Sequence, residues 1–470
     1  MKTTLKSLGA VILGAGLLIT GCAKKHTTLF QSLKNPELAA QLKSFVAEKE
    51  AQANAATNKM PSELQAFFAV AAKGDWPAVS NAFMGLRKQA VQYYEQTGKR
   101  DERLRGAAWE AVVDTLGALE AFGVGDEKYS MVFGTNIIAS IPAGSIYFGG
   151  TDAGLFIITA LQKSQVRAEP FFTLTPGGLP DARYLEYVRG MYGAKIYTPT
   201  DEDWKRTLQD YAQDFAQRRS KNQLLPGENI TVGADGQIQL NGQVAVVQVK
   251  ALLLKLIFDK NPDREFYIEE GFPFDWLYPY LEPHGLIFKL NRQPLPGLSD
   301  KIVEQDHGYW RRLVRPMIGD WLTDDTPVEQ VATFAKKTFG KQDFSGFTVD
   351  PRFIQNAYSH RMFSKLRSSI AGIYMWRLDQ AAGEQEKKRM SEEADFAFRQ
   401  AWVLCPYSAE AVFRYVNFLS KQKRIPDALL VAETAAQMPA MQGKDGEQMR
   451  NLVEQMKKFQ KANPASSGGK

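Results

Sequence analysis

The stretch Gly144–Leu161, GSIYFGGTDAGLFIITAL, decides the fold because a short apolar run, two glycines and an acid precede apolar residues at helical spacing. This order predicts a strand at Ser145–Phe148, a tight turn, and a helix at Thr151–Lys163. The turn is not a phosphate loop, since residues 149–154 fit neither GxGxxG nor GxxxxGKS. Asp152 at the helix start would also repel a phosphate. We therefore predict a capped connection that suits a hydroxyl-rich or cationic ligand better than an anion.

The same alternation continues along the chain. It predicts further strands at Glu169–Leu174, Glu265–Glu270 and Leu286–Leu290, helices at Ala182–Tyr192, Thr200–Arg219, Val244–Phe258 and Phe274–Leu281, and a hairpin at Ile230–Leu240 with its turn at Asp235-Gly236. Strands alternating with helices favour an α/β domain with a partly parallel sheet, placed at residues 141–300.

Helical periodicity dominates both flanks of that domain. Apolar residues three and four apart predict an α-helical domain at residues 61–140 and a helical linker domain at 301–390. Residues 391–462 read as tetratricopeptide-like repeats, because Pro406 and Pro439 close turns 33 residues apart, near the 34-residue period of that repeat. A plain helical hairpin is the alternative.

The N-terminal residues predict export and lipidation. Lys2 and Lys6 precede an uncharged stretch, Ser7–Thr20, that is too short to span a bilayer and is typical of a signal peptide, here residues 1–21. Cys22 follows where the apolar core ends, as in the lipobox of bacterial lipoproteins; a secreted protein or an uncleaved anchor is the alternative. The expected location is the cell envelope, on the periplasmic face of the outer membrane. Residues 22–60 would form a tether, and residues 463–470 a disordered tail.

Composition excludes several classes of function. The formal charge of +6 becomes +4 without Lys2 and Lys6, and no basic run accompanies it, so we expect no nucleic-acid partner. Cys405 is the only other cysteine, which leaves no intramolecular disulfide and predicts a buried, inert thiol. HExxH, CxxC and GxSxG are absent, and the four histidines lack ligand spacing, so we assign no metal, no cofactor and no catalytic residue.

Ligands of open α/β sheets bind beyond the carboxyl ends of the strands. The predicted strand ends carry polar or small residues that we take as candidate ligand-binding residues: Gly149, Gly150, Thr151, Asp152, Thr175, Glu269 and Glu270. Carboxylates there could hold a sugar's hydroxyls or act as acid and base. The alternative is that Asp152 only caps a helix and that both glutamates are solvated strand ends.

Three segments carry a resemblance to a known family. GSIYFGGTDAGLFIITAL, EFYIEEGFPFDWLYPYLEPHGLIFKLNR and QNAYSHRMFSKLRSSIAGIY, followed by the repeats, resemble the soluble C-terminal part of a bacterial membrane family related to protein O-mannosyltransferases, here as a stand-alone lipoprotein. The family's transferase chemistry resides in a polytopic half that is missing from this sequence, so that activity does not carry over. The resemblance implies a ligand-facing loop at Gly150, Thr151 and Asp152 and a docking surface on the helical tail.

These observations favour a lipid-anchored periplasmic binding or scaffold protein over an enzyme. Its repeats would bind a protein partner, and its anchor would bind the membrane. The alternative is a glycan-binding or glycan-active accessory protein of a membrane glycosyltransferase system.

Overall fold

The computed structural model describes residues 27–57, 59–99, 101, 104, 106–150, 152–233, 236 and 238–462. Most of these residues are helical, and the strands form a five-stranded mixed sheet and a separate two-stranded sheet. The α/β character with helical stretches before and after the strands is thereby confirmed. The predicted signal peptide, Cys22 and the C-terminal tail lie outside the described residues.

The helices are close to those that the periodicity predicts. They are α1 (Leu29–Ser32), α2 (Pro36–Ala55), α3 (Ser62–Ala71), α4 (Trp76–Thr97), α5 (Ala107–Gly123), α6 (Glu127–Ser140), α7 (Ala153–Leu161), α8 (Ala182–Tyr192), α9 (Asp201–Ser220), α10 (Gln243–Lys260), α11 (Asp300–Ile318), α12 (Val328–Ala335), α13 (Arg352–Gln355), α14 (Ala357–Gln380), α15 (Glu384–Leu404), α16 (Ala409–Lys421), α17 (Ile425–Ala436) and α18 (Gly443–Ala462). A π-helical turn, Lys336–Gly340, extends α12.

The strands are short and mostly buried. They are β1 (Ile146–Phe148), β2 (Phe172–Leu174), β3 (Ile230–Val232), β4 (Ile238–Leu240), β5 (Phe266–Ile268), β6 (Leu281–His284) and β7 (Ile287–Leu290). The larger sheet has the order β2-β1-β5-β7-β6, with β1 parallel to β2 and β6 antiparallel to β7. The antiparallel pair β3 and β4 confirms the two strands of the predicted hairpin, and Asp235 of its predicted turn lies outside the described residues.

Strand β6 was not predicted. We expected a helix at Phe274–Leu281, but only a 3₁₀ turn forms there, at Tyr278–Tyr280. Pro283 lies inside the strand that follows. Because proline donates no hydrogen bond, it is tolerated in edge strands, and β6 is the last strand in the sheet order.

The chain divides into two compact units, which are described separately. Among the described residues, the first unit comprises those up to Gly123 together with Ile141–Phe266, and the second comprises Val124–Ser140 and the residues from Tyr267 onward.

In the first unit, α2 belongs to the packed core although residues 22–60 were predicted to form a tether. Its residues Leu42, Phe45 and Val46 are buried, and the helix packs on α5 and α7. Asn35 caps α2 by accepting hydrogen bonds from its first turn. Further back, the amide of Leu29 donates to the carbonyl of Gly74 at 2.7 Å. The body of the protein therefore begins at α1.

In the second unit, each helix from α14 to α17 packs against the next helix in the chain. Pro406 lies between α15 and α16, and Pro439 between α17 and α18. Aromatic side chains fill the space between helices: Phe398 stacks on Tyr415 with ring centroids 5.9 Å apart, and Trp402 is fully buried. The region is thus a series of helices joined by short turns.

Candidate functional site

The turn after β1 is held tightly against α7. A Cβ atom at Gly149 would lie 2.7 Å from the carbonyl oxygen of Gly154 and 3.0 Å from the Cα of Leu155. No side chain fits there without a backbone shift, which explains the glycine. The hydroxyl of Tyr147 donates to the same Gly154 carbonyl at 2.8 Å. This close approach of strand and helix fixes the position of the loop.

Three of the predicted ligand-binding residues hold this turn together. Asp152 caps α7 by accepting a hydrogen bond from the Gly154 amide at 3.2 Å. The Thr175 hydroxyl donates to the Gly150 carbonyl at 3.1 Å, so the ends of β1 and β2 meet as predicted. Thr151 lies outside the described residues. Each of these contacts is structural, and ligand binding by the turn stays a prediction.

The two predicted glutamates lie in the second unit, immediately after β5. Glu269 is buried, with 1% of its side chain exposed, and Glu270 is half-buried. The Nζ atom of Lys365 on α14 lies 3.1 Å from a carboxylate oxygen of each. They are therefore neutralised in part by one lysine instead of being solvated strand ends, and their role in binding stays a prediction.

Sequence reasoning missed a buried polar cluster in the first unit. Lys49 on α2 is fully buried, and its ammonium group lies 2.7 Å from Asp114 of α5 and 2.9 Å from the hydroxyl of Tyr187 on α8. It also donates to Gln165. The Tyr187 hydroxyl donates to Asp114 at 2.9 Å, and burial raises the pKa of Tyr187 well above its usual value, so this donor keeps its proton.

Glu110 stands beside this cluster, one helical turn before Asp114 on α5. Burial raises the pKa of Glu110 to about 8, and the negative charges of Asp114 and Asp181 act in the same direction, while Lys49 opposes them. A carboxyl group that titrates near neutral pH can accept or release a proton under physiological conditions. Two acids four residues apart in an otherwise apolar helix, WEAVVDTLGAL, were the signal in the sequence.

Hydrogen bonds connect the surroundings of Glu110 to the strand ends. Asp181 caps α8 by accepting from the Arg183 amide at 2.9 Å. One turn later, the hydroxyl of Tyr184 accepts a hydrogen bond from the Thr175 amide at 2.7 Å, at the carboxyl end of β2. The charge of Glu110 thus acts on Tyr184, the residue that hydrogen-bonds the end of β2 where the sequence predicts a ligand.

His360 and Cys405 in the second unit have structural surroundings. Burial lowers the pKa of His360 to about 3, and its ring hydrogen-bonds Tyr407, so the imidazole is neutral. Cys405 is buried, as predicted, and burial raises the pKa of its thiol to about 12. Across the described ranges, no three or more His, Cys, Asp or Glu side chains converge as metal ligands. No helix within those ranges combines the length and apolarity needed to cross a bilayer.

Comparison with protein-family models, with curated proteins and with solved structures finds no match.

Proposed function

We propose that this protein is a lipid-anchored scaffold of the bacterial cell envelope that binds a protein partner through its C-terminal helices. The observation that carries the proposal is the series α14 to α18, in which successive helices pack on one another and are joined by short turns, two of which contain Pro406 and Pro439. Such stacks of helix pairs present an extended surface that suits a peptide or a partner helix. Tetratricopeptide-like packing is part of this proposal.

The partner-binding role is tested by crosslinking and affinity capture of the full chain from native membranes. Asn417 on α16 and Arg450 on α18 are exposed, so the double variant Asn417→Arg, Arg450→Glu changes the surface without touching the core. Gln213→Arg on the exposed face of α9 is the matched control. We expect the wild type and the control to recover the same partner and the double variant to lose it. Recovery of no reproducible partner by the wild type would contradict the proposal.

The anchor has an independent test. Cys22→Ser should release the protein from the membrane fraction and remove the acyl mass in intact-protein mass spectrometry, since two or more acyl chains are needed for stable anchoring. Unchanged attachment to membranes would rule out lipidation at Cys22 and leave the partner-binding role unaffected.

A second function, as a glycan-binding or glycan-active accessory protein, is favoured by Glu110. Its charge acts on Tyr184, which hydrogen-bonds the end of β2 near the loop that the resemblance implies is ligand-facing, and its raised pKa suits proton transfer or hydrogen bonding to a hydroxyl. Glycan-array binding should be abolished by Glu110→Gln and by Asp152→Ala but kept by Glu95→Gln, an exposed control on α4. Binding that is equal in all four proteins would remove this candidate.

A further inference from the structure

The second unit contains an open cleft that plays no part in the proposed partner binding. Its volume is about 460 Å³, and it lies between the turn that joins β6 to β7, residues 283–285, and one face of the first half of α11. Glu304, Gln305 and Arg312 project from that face, and all three are exposed. The size is in the range of small-molecule binding sites.

The floor of the cleft contains a glycine that the helix itself does not need. Gly308 lies in the interior of α11, where glycine is less favourable than alanine because it loses more backbone freedom. A Cβ atom at this position would meet only Nη1 of Arg312, at 3.2 Å, the mobile end of a long side chain. No neighbouring backbone requires the glycine, so its effect is to keep the floor open and to let the guanidinium group of Arg312 lie back across the helix.

Two opposite charges in the cleft are left without partners. Glu304 and Arg312 lie on the same face of α11, yet neither forms an ion pair or hydrogen bond with any residue that the structure describes. The Arg312 guanidinium group lies back over Gly308, which is one helical turn after Glu304, and both charged side chains line the same cleft.

The walls of the cleft, in contrast, are fixed. The hydroxyl of Tyr309 donates to Oδ1 of Asn136 at 3.1 Å, and burial raises the pKa of Tyr309, so this donor stays protonated. The Nε2 atom of His284 lies 2.9 Å from the carbonyl oxygen of Ser140. A fixed aromatic wall beside unpaired charges is typical of a small-molecule site, in which a few polar groups orient the bound ligand.

We propose that this cleft binds a free α-amino acid as its zwitterion. The ammonium group would donate to the carboxylate of Glu304, the carboxylate would accept from the guanidinium group of Arg312, and the side chain would lie against Tyr309. Both contacts are charge-assisted hydrogen bonds, and Arg312 can hold a carboxylate with two parallel donors. An amine alone would leave Arg312 unused, a carboxylate alone would be repelled by Glu304, and a neutral sugar would use neither charge.

Isothermal titration calorimetry on the full chain tests the proposal with L-phenylalanine, L-glutamine and glycine. Two compounds serve as controls for the ligand. Phenethylamine keeps the ammonium group of phenylalanine but lacks the carboxylate, and 3-phenylpropionate keeps the carboxylate but lacks the ammonium group. The variants are Glu304→Gln, Arg312→Gln and Gly308→Leu. Gly85→Leu is the matched control, because Gly85 also lies inside an exposed helix and a Cβ there meets no atom within 4 Å.

We expect at least one of the three amino acids to bind the wild type and Gly85→Leu equally. Each charge variant should weaken binding by at least tenfold, the loss expected from one charge-assisted hydrogen bond, and Gly308→Leu should abolish it. The proposal is overturned if no amino acid binds at ~10 mM, if either control compound binds as tightly as phenylalanine, or if Glu304→Gln and Arg312→Gln bind like the wild type. These outcomes do not depend on whether α14 to α18 capture a protein.

Discussion

Each unit contains a buried ion pair, and these two pairs differ in how completely they are hydrogen-bonded. In the first unit, Lys49 and Asp114 are 2.7 Å apart, with 0% and 9% of their side chains exposed. In the second unit, Arg367 and Asp306 are also 2.7 Å apart, and neither side chain is exposed. The lysine uses its three donors on Asp114, Tyr187 and Gln165.

The arginine pair is less complete. Arg367 donates from Nη1 to Asp306 and from Nε to Gln400, but its Nη2 atom and the Oδ1 atom of Asp306 have no partner among the described residues. A buried polar group without a partner costs about 1 to 3 kcal/mol. A buried ion pair therefore stabilises a fold fully only when each of its donors and acceptors has a hydrogen-bond partner. We expect the two pairs to respond differently to mutation.

Lys49→Met should have the largest effect on stability. It leaves Asp114 buried with only Tyr187 as a donor, and removing one partner of a buried pair costs about 3 to 5 kcal/mol. Urea denaturation followed by circular dichroism measures the loss. Lys43→Met, on the exposed face of the same helix, is the control and should cost less than about 1 kcal/mol. Equal effects of the two variants would show that the cluster does not hold α2 in place.

Glu110→Gln should stabilise the first unit at alkaline pH. The folded pKa of about 8 lies above that of the unfolded chain, about 4.3, so the folded state binds more protons in this window and the wild type loses stability as the pH rises through it. Glutamine cannot ionise and removes this loss. Because Glu110 is partly exposed, we expect a gain of roughly 2 kcal/mol at pH 8.5 and almost none at pH 4. A difference that is independent of pH would contradict the assigned titration.

The double variant Arg367→Met, Asp306→Leu should change stability by less than about 1 kcal/mol, or raise it. Apolar residues of similar volume remove both unpartnered atoms together with the pair, but the Tyr374 hydroxyl then loses its acceptor Asp306 and the Gln400 side chain its donor Arg367. Because these changes oppose each other, and apolar replacement of a buried pair is often neutral or stabilising, the net change should be small. The single variant Arg367→Met leaves the buried Asp306 carboxylate with Tyr374 as its remaining donor among the described residues, and it should be clearly destabilised in the same urea titration. A double variant as unstable as the single one would mean that the pair contributes net stability in spite of its unpartnered atoms.

His307 should give the smallest effect, and one that depends on pH. Its ring stacks on Phe396, and its nitrogens lie 3.3 Å from Glu393 and 3.5 Å from Asp324. The hydrogen bond to Glu393 raises the pKa of His307. Its contribution is therefore complete below the unfolded value of about 6.5 and is lost as the pH rises through the folded value. His307→Gln should cost up to about 1 kcal/mol at pH 5.5 and less at pH 9; the opposite trend would refute the pairing.

Local patterns were enough to predict most helices but not the buried clusters. The helix Ala182–Tyr192 was predicted residue for residue, because its apolar spacing and the capping Asp181 are adjacent in the sequence. Strand β6 was missed because Pro279 and Pro283 interrupt any strand pattern. Lys49 was missed for another reason: its partners lie 65, 116 and 138 residues away, a separation that no short pattern can contain. The cleft beside α11 likewise depends on a turn and a helix that are joined only in three dimensions.

The folded body begins at α1, only a few residues after Cys22, and this limits how far a lipid anchor at Cys22 would let the body move from the membrane. If Cys22 carries lipid as we propose, six residues lie between it and α1, and the seven steps from Cys22 to Leu29 span at most about 25 Å even when fully extended. That distance is less than the thickness of one bilayer. So short a tether would keep the folded body next to the membrane. A partner would then be captured close to the membrane surface and not across the width of the periplasm.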